Sequence, residues 1–461
     1  MTVPALPPVG SRIHFVGIGG IGMSGLARML QTMGYRVSGS DSTPSALLED
    51  LSALGICIDI GHAGSNVQTG IDLVIRTSAV SGENPEVAAA EHLGIPVMRR
   101  AELLGAMSRN RRAIAVAGTH GKSTTSGMLT IALRHLGLQP SYAIGAILKE
   151  TGQNAGLGDG LLMVLEADEY DRSFLALSPS HAIITNAEFD HPDIFDSRAS
   201  YEQAFIDFTR LIEPGGTLVI RGDDDGAMAV LKAVDDGEKL SIRTFGLSDA
   251  LDWTVTDRNG SWVFQGPGGQ REQVTLHVPG EHNALNALAV VAMLDSLGIS
   301  MGDAARAVSE YSGIGRRFEV SGEAGGVLVI DDYAHHPTEV EATLKTALRQ
   351  FPDRRVWAAF QPHTYSRTAA LIDEFAGALA LAPHRVLLDI YGARERDTGS
   401  VTEADMRRIA GVDGYRTKFV DDAVELLAAL VAPGDVVLTM GAGDITMLGP
   451  ALLDRLGPPT S

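Results

Sequence analysis

Two glycine-rich turns set the strongest limit on how this chain can fold. The first lies in "HFVGIGGIGMSGLARML" at 14 to 30 and the second in "AIAVAGTHGKSTTSGML" at 113 to 129. Each follows a short apolar run and opens a helical pattern. A turn of this kind aims several backbone N–H groups at one point, and the helix dipole adds about half a positive charge there. It holds phosphate, and it belongs to layered α/β architecture. One chain therefore carries two phosphate cradles.

The rest of the sequence keeps the same alternation. "RIHFVG", "YRVSGSD", "DLVIRTSA" and "IPVMR" read as strands, separated by helical stretches at 20 to 33, 44 to 54 and 85 to 93. Strands alternating with helices indicate βαβ units and a parallel sheet. The pattern breaks at "AMSRNRRA" (106 to 113) and again at "SGIGRRFEVSGEAGG" (312 to 326). Between the breaks, residues 246 to 278 are glycine-rich and alternate in polarity, which predicts a small antiparallel excursion before a helix near Glu281. After the second break, helices are expected near 337 to 349, 366 to 380, 402 to 410 and 421 to 431. The expected fold class is α/β, with three consecutive α/β domains. Residues 1–107 would be a Rossmann-like domain, 108–316 a central P-loop ATPase-like domain, and 317–461 a second Rossmann-like domain. A length of 461 residues suits three units of roughly 150.

The net charge of −20 argues against a nucleic-acid partner, which usually requires a basic face. No basic start followed by an apolar run suggests a signal peptide, and no apolar run approaches the ~20 residues of a membrane helix. The expectation is a cytoplasmic protein with no membrane partner, monomer or homodimer. The single cysteine, Cys57 in "LGICIDI", excludes an intramolecular disulfide and reads as a small core residue of a buried strand.

Chemistry concentrates at the central loop. In Gly118-Thr119-His120-Gly121-Lys122-Ser123, followed by Thr124, the lysine supplies a point charge for phosphate and the serine hydroxyl a ligand for Mg²⁺. The early glycine precedes Gly121 by three residues, shorter than the usual spacing of five. Magnesium also needs hard oxygen ligands at neighbouring strand ends. "VLEADEYDRS" offers Glu166, Asp168, Glu169 and Asp171, and "ITNAEFDHPD" offers Asn186, Glu188, Asp190 and His191. Either segment alone could be a solvated acidic loop; both beside one phosphate loop favour a metal. The first loop, Gly17-Ile18-Gly19-Gly20-Ile21-Gly22, matches a dinucleotide fingerprint, with Asp41 at the end of the next strand. On that motif alone an NAD site is the natural reading, with Asp41 on a ribose hydroxyl. The loop does not say whose diphosphate it holds.

"GTHGKST", "EADEYDRSF", "TNAEFDHPD", "GEHNALNALA", "GIGRRFE", "DDYAHHPTE", "FQPHTYSRT" and "DIYGARE" follow one another through the second and third segments. With "VGIGGIGMSGLA", "GSD", "TSAV", "NPE" and "RRAELL" in the first, they resemble the Mur ligases of peptidoglycan synthesis over nearly the whole chain. Within that family, "GTHGK" and "GIGGIGMSG" are most similar to the branch that joins L-alanine to UDP-N-acetylmuramate. The resemblance implies an ATP-dependent ligation through an acyl phosphate, with two Mg²⁺ sites that Mn²⁺ can also fill. It turns the first loop from NAD to the diphosphate of a UDP-sugar, held by Gly19, Gly20, Ile21, Gly22 and Met23, with Asp41, Ser78 and Asn84 nearby. It implies Lys122 on ATP phosphates, Ser123 and Glu166 on one magnesium and His191 on the second. His282, Asn283 and Asn286 would meet adenine and Arg317 would reach ATP. Tyr333, His335, Arg367 and Arg394 would close over the amino acid or phosphate.

Several relatives carry a carbamylated lysine about fifteen residues beyond the "DH" histidine. Here no lysine lies between His191 and Lys232, so that role is absent or filled otherwise. Thr364 stands where some relatives have arginine, leaving Arg367 alone. The alternative for the pair His335-His336 is a cap on the helix opening at Pro337, a role that suits His336 better than His335. "GDDDG" at 222 to 226 reads as a turn and helix cap, and Tyr311 and Trp357 as packing residues. The alternatives are a ligase recycling peptides onto the same sugar nucleotide, and an NAD-binding dehydrogenase or sensor with an ATPase domain.

Overall fold

Strands of a parallel sheet covered on both faces are short continuous apolar runs. Their carboxyl ends are where such a fold places ligands. The computed structural model describes residues 5–77, 80–109, 111–234, 240–258 and 261–457. The chain divides into two compact units, one of Met1–Glu188, Ala199–Thr275 and Leu285–Ser312, the other of Phe189–Arg198, Leu276–Ala284 and Gly313–Ser461.

The first unit holds two sheets. Strands β1 (Arg12–Val16), β2 (Arg36–Asp41), β3 (Cys57–Ile60), β4 (Leu73–Arg76) and β5 (Val97–Arg99) form a parallel sheet in the order β3-β2-β1-β4-β5. The second sheet contains β6 (Arg112–Ala117), β7 (Ser141–Leu148), β8 (Gln153–Gly156), β9 (Leu162–Glu166) and β10 (His181–Ile184). It continues with β11 (Thr217–Arg221), β12 (Ser241–Gly246), β13 (Trp253–Arg258), β14 (Ser261–Gln265) and β15 (Arg271–Val274). Its order is β15-β14-β13-β12-β11-β10-β6-β9-β7-β8, parallel from β7 to β13. The antiparallel excursion expected at 246 to 278 is the meander β13-β14-β15. A second antiparallel hairpin, β7-β8, borders the other edge.

Helix Ile21–Thr32, opened by the first glycine loop, packs on that hairpin. A Cβ on Gly25 would lie 2.8 Å from the Ala155 Cβ, so only glycine permits this approach. The Asn154 amide donates to the Ile21 carbonyl at 2.7 Å across the same contact.

The second unit carries β16 (Glu319–Ala324), β17 (Val327–Asp332), β18 (Val356–Phe360), β19 (His384–Leu388), β20 (Tyr415–Thr417) and β21 (Val436–Met440). The order is β16-β17-β21-β18-β19-β20, parallel except for β16. Its apolar faces are covered on one side by residues such as Phe360 and Phe375, and on the other by Trp357, Leu388 and Leu448.

Four sequence expectations change. The first break is shorter, because helix Arg100–Ser108 extends into it and β6 begins at Arg112. The second break contains strand β16. The helix expected at 366 to 380 is two, Tyr365–Ala370 and Ile372–Leu379, interrupted at Leu371, whose φ of −129° is not helical. Cys57 is exposed, since β3 is the outer strand of its sheet and lacks a cover. Tyr311 and Trp357 are buried as expected, and Asp224 caps helix Asp225–Ala233 through the Ala227 N–H.

Candidate active site

The central loop is built around two glycines that no other residue could replace cheaply. Gly118 has φ +142°, and a Cβ there would fall 2.0 Å from the Thr185 hydroxyl. Gly121 has φ +81° and lies against Asn286, whose Oδ1 would be 2.7 Å from an added Cβ. Side chains at the end of β10 tie the loop down. The Thr185 hydroxyl donates to the His120 carbonyl at 2.6 Å, and the His120 N–H donates to Asn186 Oδ1 at 2.9 Å. Thr119 donates to the Glu188 carbonyl at 2.7 Å, and a His120 ring nitrogen lies 3.2 Å from a Glu188 carboxylate oxygen. Lys122, Ser123 and a buried Thr124 then open helix Lys122–His135.

Lys122 Nζ donates to the Gly118 and Thr119 carbonyls at 2.6 and 2.9 Å and lies 2.8 Å from the buried Glu169 carboxylate. Burial opposes the ammonium charge, but Glu169, Asp168 and Glu166 outweigh it and hold the Lys122 pKa above its ordinary value. Partial dehydration and Glu169 push Asp168 up, while Lys122 and Arg100 pull it back.

Glu166, the last residue of β9, joins two elements. One carboxylate oxygen accepts from the Ser123 hydroxyl at 2.9 Å, the other from the Gly145 N–H at 2.7 Å. Gly145 sits within β7, and a Cβ there would meet the carboxylate at 2.8 Å. The same Gly145 lines a cavity of about 680 Å³ under the first glycine loop. That cavity is bordered by Gly17, Gly19, Gly20, Gly22, Met23 and Asp41, and by His62 and Arg100. The Ser123 hydroxyl and the Glu166 carboxylate are hard oxygen donors side by side, the donor chemistry magnesium takes.

The expected sugar-nucleotide residues divide. Gly19, Gly20, Gly22, Met23 and Asp41 line the cavity. Asp41 accepts the Gly19 N–H at 2.8 Å, so its carboxylate steadies the loop itself. Ile21 is exposed and contributes its carbonyl to Asn154. Asn84 is not among the lining residues; its side chain accepts from the Glu86 N–H and caps helix Pro85–His92. Ser78 lies outside the described residues.

In the second unit, Arg316 and Arg317 both lie over the Tyr333 ring, at 4.9 and 5.3 Å from its centroid. Arg317 donates to Glu339 at 3.2 Å, and Glu339 also accepts the His335 N–H at 3.1 Å. Burial pushes the His335 pKa down to about 3. Burial raises that of Asp332 to about 6, even though Arg317 and two backbone N–H groups favour its charge. Dehydration on its covered side, with Arg317 nearby, lowers the His282 pKa, although much of its surface stays exposed. Asn283 bonds the Pro279 carbonyl at 2.7 Å. Asn286 belongs to the first unit. Arg394 is exposed and lowers the pKa of His363 alongside burial and Arg367. Arg367 is engaged with Asp190, at 2.8 and 3.1 Å, and so is not a solvent-facing charge awaiting a ligand. His336 caps helix Pro337–Gln350 through the Thr338 N–H, the simpler of its two readings.

Sequence reasoning missed Gly145 and Glu339 as site residues. Gly145 gave a signal, because an isolated glycine inside a strand pattern marks a close approach. Arg100 stands with Arg99, Arg109, Arg111 and Arg112 in a run of arginines that reads equally as a local anion-binding cluster or as a solvated surface run.

Comparison with known proteins agrees with this arrangement. Family descriptions match along the chain: "Mur ligase family, catalytic domain" at residues 12–112, "Mur ligase middle domain" at 116–294 and "Mur ligase, glutamate ligase domain" at 316–443. A UDP-N-acetylmuramate–L-alanine ligase of Saccharopolyspora erythraea is 44% identical over 96% of this chain and 92% of its own. That of Streptomyces griseus is 43% identical over 98% and 99%. The crystal structure of a UDP-N-acetylmuramate–alanine ligase from Thermotoga maritima superposes with a TM-score of 0.79 at 32% identity, covering 96% of this chain and 98% of that one. A murein peptide ligase from Psychrobacter arcticus gives 0.73 at 26%, covering 98% and 100%. With both glycine loops, the bridging carboxylate and near full-length similarity in agreement, this chain belongs to the Mur ligase family.

Proposed function

We propose that the chain ligates L-alanine to the lactyl carboxylate of UDP-N-acetylmuramate, converting ATP to ADP and phosphate, in the cytoplasmic stage of peptidoglycan precursor synthesis. The observation that carries this reading is the double engagement of Glu166. One carboxylate spans the phosphate-loop serine and the wall of the sugar-nucleotide cavity, so a carboxylate substrate in that cavity lies beside the ATP phosphates. A dehydrogenase has no use for that junction.

A carboxylate is a poor electrophile for an amine. Its oxygen attacks the γ-phosphorus of ATP, the bond to ADP breaks, and an acyl phosphate forms. The amine of L-alanine then attacks the carbonyl, loses a proton, and expels phosphate from the tetrahedral intermediate. Lys122, kept charged by three carboxylates, stabilises negative charge on the transferring phosphoryl group. The backbone N–H groups of Gly118 to Ser123 orient it. Ser123 and Glu166 would hold magnesium, which when bound neutralises phosphate charge; His191 would serve a second ion. Holding both reactants in place is worth up to ~7–11 kcal/mol in favourable systems.

The test is phosphate release from ATP with UDP-N-acetylmuramate, adding L-alanine, glycine, L-serine or a muropeptide separately. Release that needs both the sugar nucleotide and L-alanine supports the reading. Release with the muropeptide alone moves the chain to peptide recycling, and NADH binding without any ligation removes it from this chemistry.

A further inference from the structure

Arg100 is the sole permanently charged cation among the described residues lining the first cavity. A diphosphate would bring about two negative charges to a loop whose Gly19 N–H already faces the Asp41 carboxylate at 2.8 Å. Two anions in one cradle need a cation beside them. Arg100 lies where that cation is required. A Cβ on Gly22 would meet Arg100 Nη1 at 3.0 Å and its Cδ and Cζ at 3.4 and 3.5 Å, so the side chain rests against the first turn of helix Ile21–Thr32. A helix N-terminus attracts anions and disfavours a cation. A guanidinium held there is therefore placed for an anion to bind against both it and the helix.

Its other neighbour is Asp168, 3.9 Å away, with side chains 31% and 40% exposed. That separation is too long for a hydrogen bond, and a pair this exposed is weak and exchangeable. Asp168 directly precedes Glu169, which pairs with Lys122 at 2.8 Å. Arg100 thus reaches from the diphosphate cradle to the acidic loop that governs the phosphate-loop lysine.

We propose that Arg100 grips the diphosphate of the sugar nucleotide and is shared with Asp168, so that filling the first cavity withdraws a cation from the acidic loop beside Lys122. The proposal rests on the sugar-nucleotide reading above. Its planar fork suits two phosphate oxygens at once, which lysine cannot match. Freed from Arg100, Asp168 turns to Lys122 and the metal side, which links substrate binding to preparation of the phosphate loop.

The experiment is calorimetric titration of the full chain with UDP, uridine and a non-hydrolysable ATP analogue, for wild type, R100A, R100K and D168N. R100A should weaken UDP binding roughly 10- to 100-fold, the worth of a lost charged hydrogen bond or two. Uridine should bind it as it binds wild type, and the ATP analogue should bind it with the affinity that UDP-filled wild type shows and not that of empty wild type. R100K should recover part of the loss of UDP binding, and D168N should bind UDP several-fold tighter. UDP binding by R100A at the wild-type Kd overturns the grip, and unchanged UDP affinity in D168N overturns the sharing. R100K, which keeps charge and bulk, replaces R100A as the decisive variant if R100A does not fold. A wild type that binds neither UDP nor UDP-N-acetylmuramate fails the sugar-nucleotide reading itself, which separates that failure from this one.

Discussion

Arg367 meets both carboxylate oxygens of Asp190, Nε at 2.8 Å and Nη2 at 3.1 Å, with the two side chains about 5% and 4% exposed. Burial works against the Asp190 charge, yet the guanidinium holds its carboxyl far below the usual range. Asp190 also accepts the His191 N–H at 2.6 Å, and His191 has a φ of +57°, a strained value for a histidine. The pair therefore fixes the backbone that presents His191. Replacing Arg367 with alanine takes both guanidinium hydrogen bonds from a buried carboxylate and should cost about 3–5 kcal/mol in urea unfolding. D190N should recover much of that loss in the double variant. Equal stability of R367A and wild type would remove this role.

Lys122 and Glu169 separate a structural from a catalytic duty. K122A removes the ammonium that pairs with the buried Glu169 and should both abolish phosphate release and destabilise the chain by several kcal/mol. Adding E169Q should restore the stability and none of the activity. Turnover by the double variant would show that Lys122 serves only to neutralise Glu169.

Gly145 offers a finer probe of Glu166. The methyl of G145A would press on the carboxylate at 2.8 Å and move it from Ser123. A displacement of about 1 Å can cost on the order of 10²-fold in rate. We expect that loss in kcat, a raised magnesium requirement and little change in Tm, measured by steady-state kinetics across a magnesium titration. Wild-type kcat would mean that the position of Glu166 is immaterial.

The second unit should lose stability in mild acid. His335 and His363 have folded pKa values of about 3 and 4, below the ordinary 6.5. A depressed pKa contributes stability above pH 6.5 that is lost as pH falls through the folded values. Asp332, raised to about 6, acts in the opposite sense and gains as pH falls from 6 towards 4. The two histidines should prevail, so Tm measured at pH 5 should lie below that at pH 7.5. H363N should flatten the slope by up to about 2 kcal/mol. A steeper slope in H363N would contradict the assignment.

The glycine loops, the carboxylates at strand ends and the alternation of strand and helix were legible because each is local, a matter of neighbours and period. What escaped the sequence joins distant positions. Gly145 and Glu166 are separated by 21 residues and Asp190 and Arg367 by 177, and no spacing rule connects them. Arg367 reads in the sequence as a charge for a ligand, and only the fold reveals its pairing with Asp190. Cys57 was misread for the same reason. Its apolar neighbours describe a strand, and they cannot tell an outer strand from a central one.

The central claim is that a carboxylate in the first cavity is phosphorylated at the Lys122 loop. UDP-N-acetylmuramate labelled with ¹⁸O in its lactyl carboxylate, turned over with ATP and L-alanine, tests it most directly. One labelled oxygen is expected in the released phosphate, because the carboxylate oxygen that attacks phosphorus leaves with it. Unlabelled phosphate, or label appearing in AMP, would contradict the acyl phosphate and the site assembled around Glu166.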